Sequence, residues 1–192
     1  MKQNRENPFF ETYRTPFGTP PFDQIETEQY EPAFDEGIWQ LDEEVRAIAD
    51  NTELPTFENT IIALERSGKL LDKVISAFFN VLNAEADDEM MDISQRVSPK
   101  LSESSNNIYL NEQLFARVKS VYDRKDELHL PMEDARLLEK TFEAFCARGA
   151  ALGPEEKEKY RKLSSELSLL SLTFDQNALK DKNRYELLLT KE

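Results

Sequence analysis

The chain contains one cysteine, one histidine and five glycines among 192 residues, and each scarcity closes off a class of protein. A single thiol, Cys146, forbids an internal disulfide and a cysteine-based zinc cluster, both of which need several. A lone His129 cannot supply the two histidines, four apart on one helix, that a helix-borne hydrolytic zinc requires. So few glycines suit neither the many tight turns of a sandwich nor those of a barrel. Positive charge is also in deficit: 24 Lys+Arg face 38 Asp+Glu, a net charge of −14 that repels phosphate backbones and anionic lipid. Nucleic acid is therefore not an expected partner. No apolar run approaches the roughly 18 residues of a membrane span. Nor do Lys2 and Arg5 precede the apolar stretch of a signal peptide, so the cytoplasm, whose reducing conditions suit a lone thiol, is the expected compartment.

What the sequence does hold is helical. Leu, Ile, Val and Phe make up about a quarter of it, above the roughly one-fifth below which highly charged chains stay disordered. Residues 1–25 carry Pro8, Pro16, Pro20 and Pro21 among Phe9, Phe10, Tyr13, Phe17 and Phe22, which prevents a continuous helix and predicts an extended arm. Five aromatics in such an arm point to an apolar resting place, either the domain's own flank or the surface of a separate partner. From Thr27, the spacing of Tyr30, Phe34, Ile38, Leu41, Val45 and Ile48 predicts a helix that Asn51–Pro55 ends. Thr56 offers a hydroxyl cap to a second helix, and Gly68 marks a break. Leu71, Val74, Ile75, Phe78 and Leu82 then form the stripe expected of the central core helix. Asp87–Glu89 open a further helix, expected to kink at Pro99 and to continue as a second segment to Leu110. Leu114, Val118 and Val121 mark a short helix, Pro131 starts another running to Ala151, and Pro154 starts the longest, with Tyr160, Leu163, Leu167, Leu170 and Phe174 on one face until about Asp181. Tyr185–Thr190 alone reads as a strand. It either pairs in trans or belongs with sequence beyond Glu192. The expected fold is all-α, an antiparallel bundle of about seven helices with a Pro/aromatic arm and a short strand-like tail.

Chemistry-bearing groups are sparse. Asp126 three residues before His129 superficially matches half of a di-iron motif, but that site needs a second such unit and further carboxylates. Cys146, between Phe145 and Ala147, reads as a small buried hydrophobe rather than a reactive thiolate. Asp87-Asp88-Glu89 and the acids from Asp123 to Glu127 could hold a hard cation, although neither has the alternating ligands of an EF-hand, and solvated helix ends describe them better. Trp39 and the Phe78/Phe79 pair could stack a ligand, yet aromatics at helical spacing are usually core. No phosphate-binding glycine loop occurs. Accordingly no catalytic, cofactor-binding or metal-ligating residue is assigned.

Several strings in order do resemble one family. Asn7-Pro8-Phe9, Pro20-Pro21-Phe22-Asp23-Gln24-Ile25, Pro32-Ala33-Phe34 and Pro55-Thr56-Phe57-Glu58-Asn59-Thr60-Ile61 are followed by Leu64-Glu65-Arg66-Ser67-Gly68. Further on come Ser98-Pro99-Lys100-Leu101-Ser102, Asn111-Glu112-Gln113-Leu114-Phe115, Gly149-Ala150-Ala151-Leu152 and the stretch from Leu163 to Asn177. Together they resemble the N-terminal region of the thimet-oligopeptidase-like zinc metallopeptidases, in the peptidyl-dipeptidase and oligopeptidase A branch. The resemblance implies a helical, non-catalytic N-terminal domain over residues 26–183, with residues 1–25 as an arm packed on it and 184–192 as a truncated strand leading to a catalytic part. It implies a parent that uses zinc to release C-terminal dipeptides from short peptides, with this domain as one wall of its channel. None of the zinc ligands can be carried over to this chain. The implied partners are the parent's own catalytic domain and short peptide substrates. A face exposed by that domain's absence could also be covered by a second copy. The alternative is a freestanding helical adaptor binding other proteins through the arm or the last strand. A small independent hydrolase would need a site that the sequence does not show.

Overall fold

The computed structural model describes residues 7–85 and 87–184. Among them there is no strand, and the all-α bundle is as expected; Tyr185–Thr190, read as a strand, lies outside the described residues. The helices are α1 (Tyr30–Ala49), a π-turn over Phe57–Ile62 running into α2 (Ala63–Glu65), α3 (Lys69–Glu85), α4 (Asp88–Tyr109), α5 (Glu112–Tyr122), α6 (Met132–Ala147) and α7 (Pro154–Arg184).

The helix boundaries follow from local chemistry. Glu26 N–H donates to Gln29 Oε1 at 2.9 Å in a capping box that leads into α1. Pro32 sits in the first turn, where helix amides have no acceptor anyway. Thr56 caps the next helix as expected: its Oγ1 accepts from Asn59 N–H at 3.1 Å and its own N–H donates to Asn59 Oδ1 at 2.8 Å. Asp87 and Asn111 do the same for α4 and α5, accepting from Met90 N–H at 2.8 Å and Leu114 N–H at 2.9 Å. The break at Gly68 is a left-handed residue, φ +76°, whose N–H donates to Glu44 Oε2 on α1 at 2.8 Å. Pro99 does not divide α4, which continues as one helix on both sides of it.

Two hydrophobic clusters fill the interior. One gathers Phe9, Tyr30, Phe34, Leu71, Val74, Phe78, Ile93 and Val97; the other gathers Val45, Ile48, Phe57, Ile61, Leu114, Val118, Leu138 and Phe145. Among fully buried side chains the helix common to both is α1, its first half in one and its second half in the other; α4 also reaches the second cluster through the half-buried Ile108 and Tyr109. The stripe on α3 is buried as expected, but α3 serves only the first cluster, so the central position belongs to α1. Helices α1 and α3 cross closely at Gly37, where a Cβ would lie 3.0 Å from Leu71 Cα. Edge-to-face contacts of Phe78 with Phe34 and Tyr30, centroids 5.3 and 5.0 Å apart, complete the first cluster. In the second, the buried Arg117 of α5 donates to Asn51 O, Glu53 O, Asn59 Oδ1 and Thr60 Oγ1, tying the α1–α2 connection to the bundle.

The arm consists of single 3₁₀ turns at Pro8–Phe10, Pro16–Gly18 and Phe22–Gln24. Its aromatics divide. Phe9 is buried against Tyr30 and Tyr13 packs beside it, whereas Phe10, Phe17 and Phe22 are exposed. Lys73 of α3 fastens the arm, donating to Phe9 O at 2.8 Å and Glu11 O at 2.7 Å while its Nζ lies 3.8 Å from the centre of the Tyr13 ring. Burial lowers the Lys73 pKa, with Glu11 opposing, and burial together with nearby Tyr30 pushes the Tyr13 phenol up to about 12.

Candidate functional site

The residues singled out from the sequence do not converge. His129 is exposed in a turn at φ +47°, before α6. Cys146 is exposed, contrary to the reading of it as buried: Phe145 takes the fully buried position, and the next residue, about 100° round the helix, faces solvent. Trp39 is also exposed, one step from the buried row of α1, while Phe78 is buried and Phe79 half-buried. Asp87 is occupied as a helix cap, Asp123 pairs with Lys119, and the other acids of the two clusters are not buried. Among the described residues, no group of three or more His, Cys, Asp or Glu could hold a metal ion, so these side chains do not fit a zinc site.

A different feature emerges between α4 and α7. Ser98, Ser102 and Ser105 recur on α4 at intervals of four and three, and Ser164, Ser168 and Ser171 repeat the same intervals on α7. That spacing puts each trio on one helix face. The two rows meet in a groove of about 490 Å³, with Phe79 and Leu101 at its apolar side and Tyr109, Arg148 and Tyr160 around it. Asn106 and Ser164 bridge it, with Asn106 Nδ2 donating to Ser164 Oγ at 2.8 Å and Ser164 Oγ lying 3.1 Å from Asn106 Oδ1. Arg148 lies over the Tyr109 ring at 4.2 Å and donates to Ser105 Oγ at 3.3 Å. A second groove of about 460 Å³ shares Phe79, Leu172 and Asp175 with the first and extends along α7 to Lys182. Repeated serines were the available signal for this face, and the apolar periodicity of α7 drew attention to its opposite side.

Hydroxyl rows next to aromatic rings and one guanidinium can bind a polar chain by hydrogen bonds and stacking. They cannot by themselves cleave it. Serine attacks a carbonyl only when a neighbouring base takes its proton, and no histidine lines either groove.

Further along α7 the same polarity governs packing. Gln176 is buried and donates to Ser94 Oγ at 3.0 Å and Met91 O at 3.3 Å. Lys157 is buried too, with Nζ 3.0 Å from Glu112 Oε1 and 3.4 Å from Leu110 O. The stripe expected to be a packing face divides: Tyr160 is half-buried at the groove, while Leu163, Leu167, Leu170 and Phe174 face solvent.

No protein-family profile matches the chain. It is similar to the dipeptidyl carboxypeptidase of Escherichia coli, 43% identical over 173 residues that make up 90% of this chain and 25% of that protein. It is also similar to oligopeptidase A of the same organism, 23% identical over 93% of this chain and 26% of the relative. A third relative, "Probable cytosolic oligopeptidase A" of Arabidopsis thaliana, is 25% identical over 91% of this chain and 25% of its own length. The chain thus spans about a quarter of the length of the curated relatives it matches. Over nine-tenths of its own residues, it is a homologue of the thimet-oligopeptidase-like peptidases, in the dipeptidyl carboxypeptidase and oligopeptidase A branch.

Proposed function

We propose that residues 26–183, with the arm 1–25 packed on them, are the non-catalytic N-terminal domain of a cytoplasmic, zinc-dependent peptidyl-dipeptidase, and that they form one wall of its peptide channel. Residues 184–192 lead into the catalytic part. The observation that carries this reading is the 43% identity to a dipeptidyl carboxypeptidase across 90% of this chain but only 25% of the relative. One histidine in the whole sequence agrees with a catalytic centre lying elsewhere. In such a wall the α4–α7 groove offers an unfolded peptide hydroxyl groups for its amides and carbonyls, and rings for its side chains. The domain's net charge of −14 attracts cationic peptides and slows acidic ones.

The test is an assay of the longer protein that carries this sequence, on a short peptide with a free C-terminus. Release of C-terminal dipeptides that stops with a chelator supports the proposal, as does the absence of release by the 192-residue chain alone. Release by the 192-residue chain alone, or no release by the longer protein, overturns it.

A further inference from the structure

Helix α7 turns a largely polar side inward, with Tyr160, Leu172 and Leu179 as its apolar members. Its buried and half-buried positions include Lys157, Ser164, Ser168 and Gln176, and hydrogen bonds from Ser164 and Gln176 to α4 fix its rotation. On the opposite side Leu163, Leu167, Leu170 and Phe174 are 64–72% exposed. Within the isolated domain the outward leucines gain nothing from this arrangement, and rolling the helix to bury them would strand Gln176 and Ser164 without partners. The outward leucines are therefore held in place for something else to cover.

Their spacing describes that cover. Intervals of four, three and four from Leu163 to Phe174 make a seam of period 3.5, which matches a second helix crossing at about 20°. Eleven residues of rise give a seam roughly 16 Å long. Charge then separates the occupants. The whole chain carries −14, so two copies brought face to face repel, whereas α7 itself holds six acidic and seven basic side chains and is a near-neutral strip on an acidic body. The relatives also possess about three times as much further chain that this sequence does not match.

From this we infer that Leu163, Leu167, Leu170 and Phe174 dock against an amphipathic helix in the remaining three-quarters of the parent peptidase, with α7 the hinge-free strut that carries the contact. The inference rests on the proposal that this chain is part of a longer enzyme, and it adds which side chains join the two parts and what kind of element they meet.

Thiol labelling tests it with little disturbance. Leu167→Cys is placed in a Cys146→Ser background, both in the 192-residue chain and in the longer protein, with Leu54→Cys, an exposed loop position away from α7, as the control. In the chain alone, Cys at 167 should react with a maleimide about as fast as the control. In the longer protein it should react slower by roughly tenfold or more, with the control unchanged. Equal rates at 167 and 54 in the longer protein overturn the inference. So does protection in the 192-residue chain alone that grows with concentration together with a dimer in sedimentation, which would make a second copy the occupant. The peptidase assay on the same longer protein separates the two proposals: protection without chelator-sensitive activity removes the channel reading and keeps the contact, and activity without protection does the reverse.

Discussion

Replacing Arg117 by Met removes a buried cation whose partners are all neutral. Its guanidinium donates to two backbone carbonyls, Asn51 O and Glu53 O, and to the side-chain oxygens of Asn59 and Thr60, and no carboxylate shares the site. Hydrogen bonds from a charged donor contribute about 1.5–3 kcal/mol each, so four give roughly 6–12 kcal/mol before desolvation of the guanidinium is subtracted. That desolvation costs several kcal/mol, and the buried Nε, which has no partner, adds to it. Methionine fills most of the volume but leaves the acceptors that faced the guanidinium unpaired, and the expected net loss is about 3–4 kcal/mol. For a domain of this size, such a loss lowers Tm by roughly 6–16 °C. Arg117→Lys keeps the charge yet presents three donors from one point rather than a planar fork, so its Tm should fall between those of the wild type and the Met variant. The assay is thermal unfolding followed by circular dichroism, with hydrogen exchange on residues 51–60 to localise the effect. A Met variant within 1 °C of the wild type would refute the claim that this clamp holds the connection between α1 and α2.

Two other outcomes follow from local geometry. Thr56→Ala removes one side of the capping box with Asn59 and should cost about 1–2 kcal/mol in a urea titration, with Thr56→Ser recovering most of it. Tyr13→Phe deletes a buried hydroxyl that has no partner, so it should leave stability unchanged or raise it slightly at neutral pH. The same variant has a pH signature. The Tyr13 pKa is raised from 10.0 to about 12, so its protonated form favours the fold fully below pH 10, and that contribution fades as the pH climbs towards 12. The stability of the wild type relative to the variant, measured by urea midpoints at pH 9 and pH 11.5, should fall over that window, because only the wild type has a buried phenol to ionise; a difference independent of pH contradicts the burial argument.

Helix caps and stripes were legible in the sequence because they are decided within four or five residues. Thr56 with Asn59, Asp87, Asn111 and Pro154 sit where local rules put them, and Pro131 stands one place earlier than expected, immediately before α6. Long-range choices were less so. A leucine stripe reads as a packing face, yet on α7 hydrogen bonds from Ser164 and Gln176 to α4 decide which side turns inward, and those partners lie 58 and 82 residues away in sequence. Cys146 and Trp39 were misread for a simpler reason: Cys146 adjoins the buried Phe145 and Trp39 the half-buried Ile38, and one residue of rotation exchanges core for solvent. The central role of α1 was hidden because its stripe is continuous, and only three dimensions show that the two halves of the stripe belong to different clusters. The serine rows of the groove were plain in the sequence, but their meaning depends on the two helices facing each other.

The sharing of α1 between two clusters has a mechanical consequence. A 20-residue helix is a rod of about 30 Å, and here each end is gripped by a separate mass of side chains, with Phe9 of the arm at one and the Arg117 clamp near the other. Loosening either grip leaves the other still holding the rod, so the two clusters are coupled mechanically through α1, and again through α4, whose first half packs in one while Ile108 and Tyr109 pack against the other.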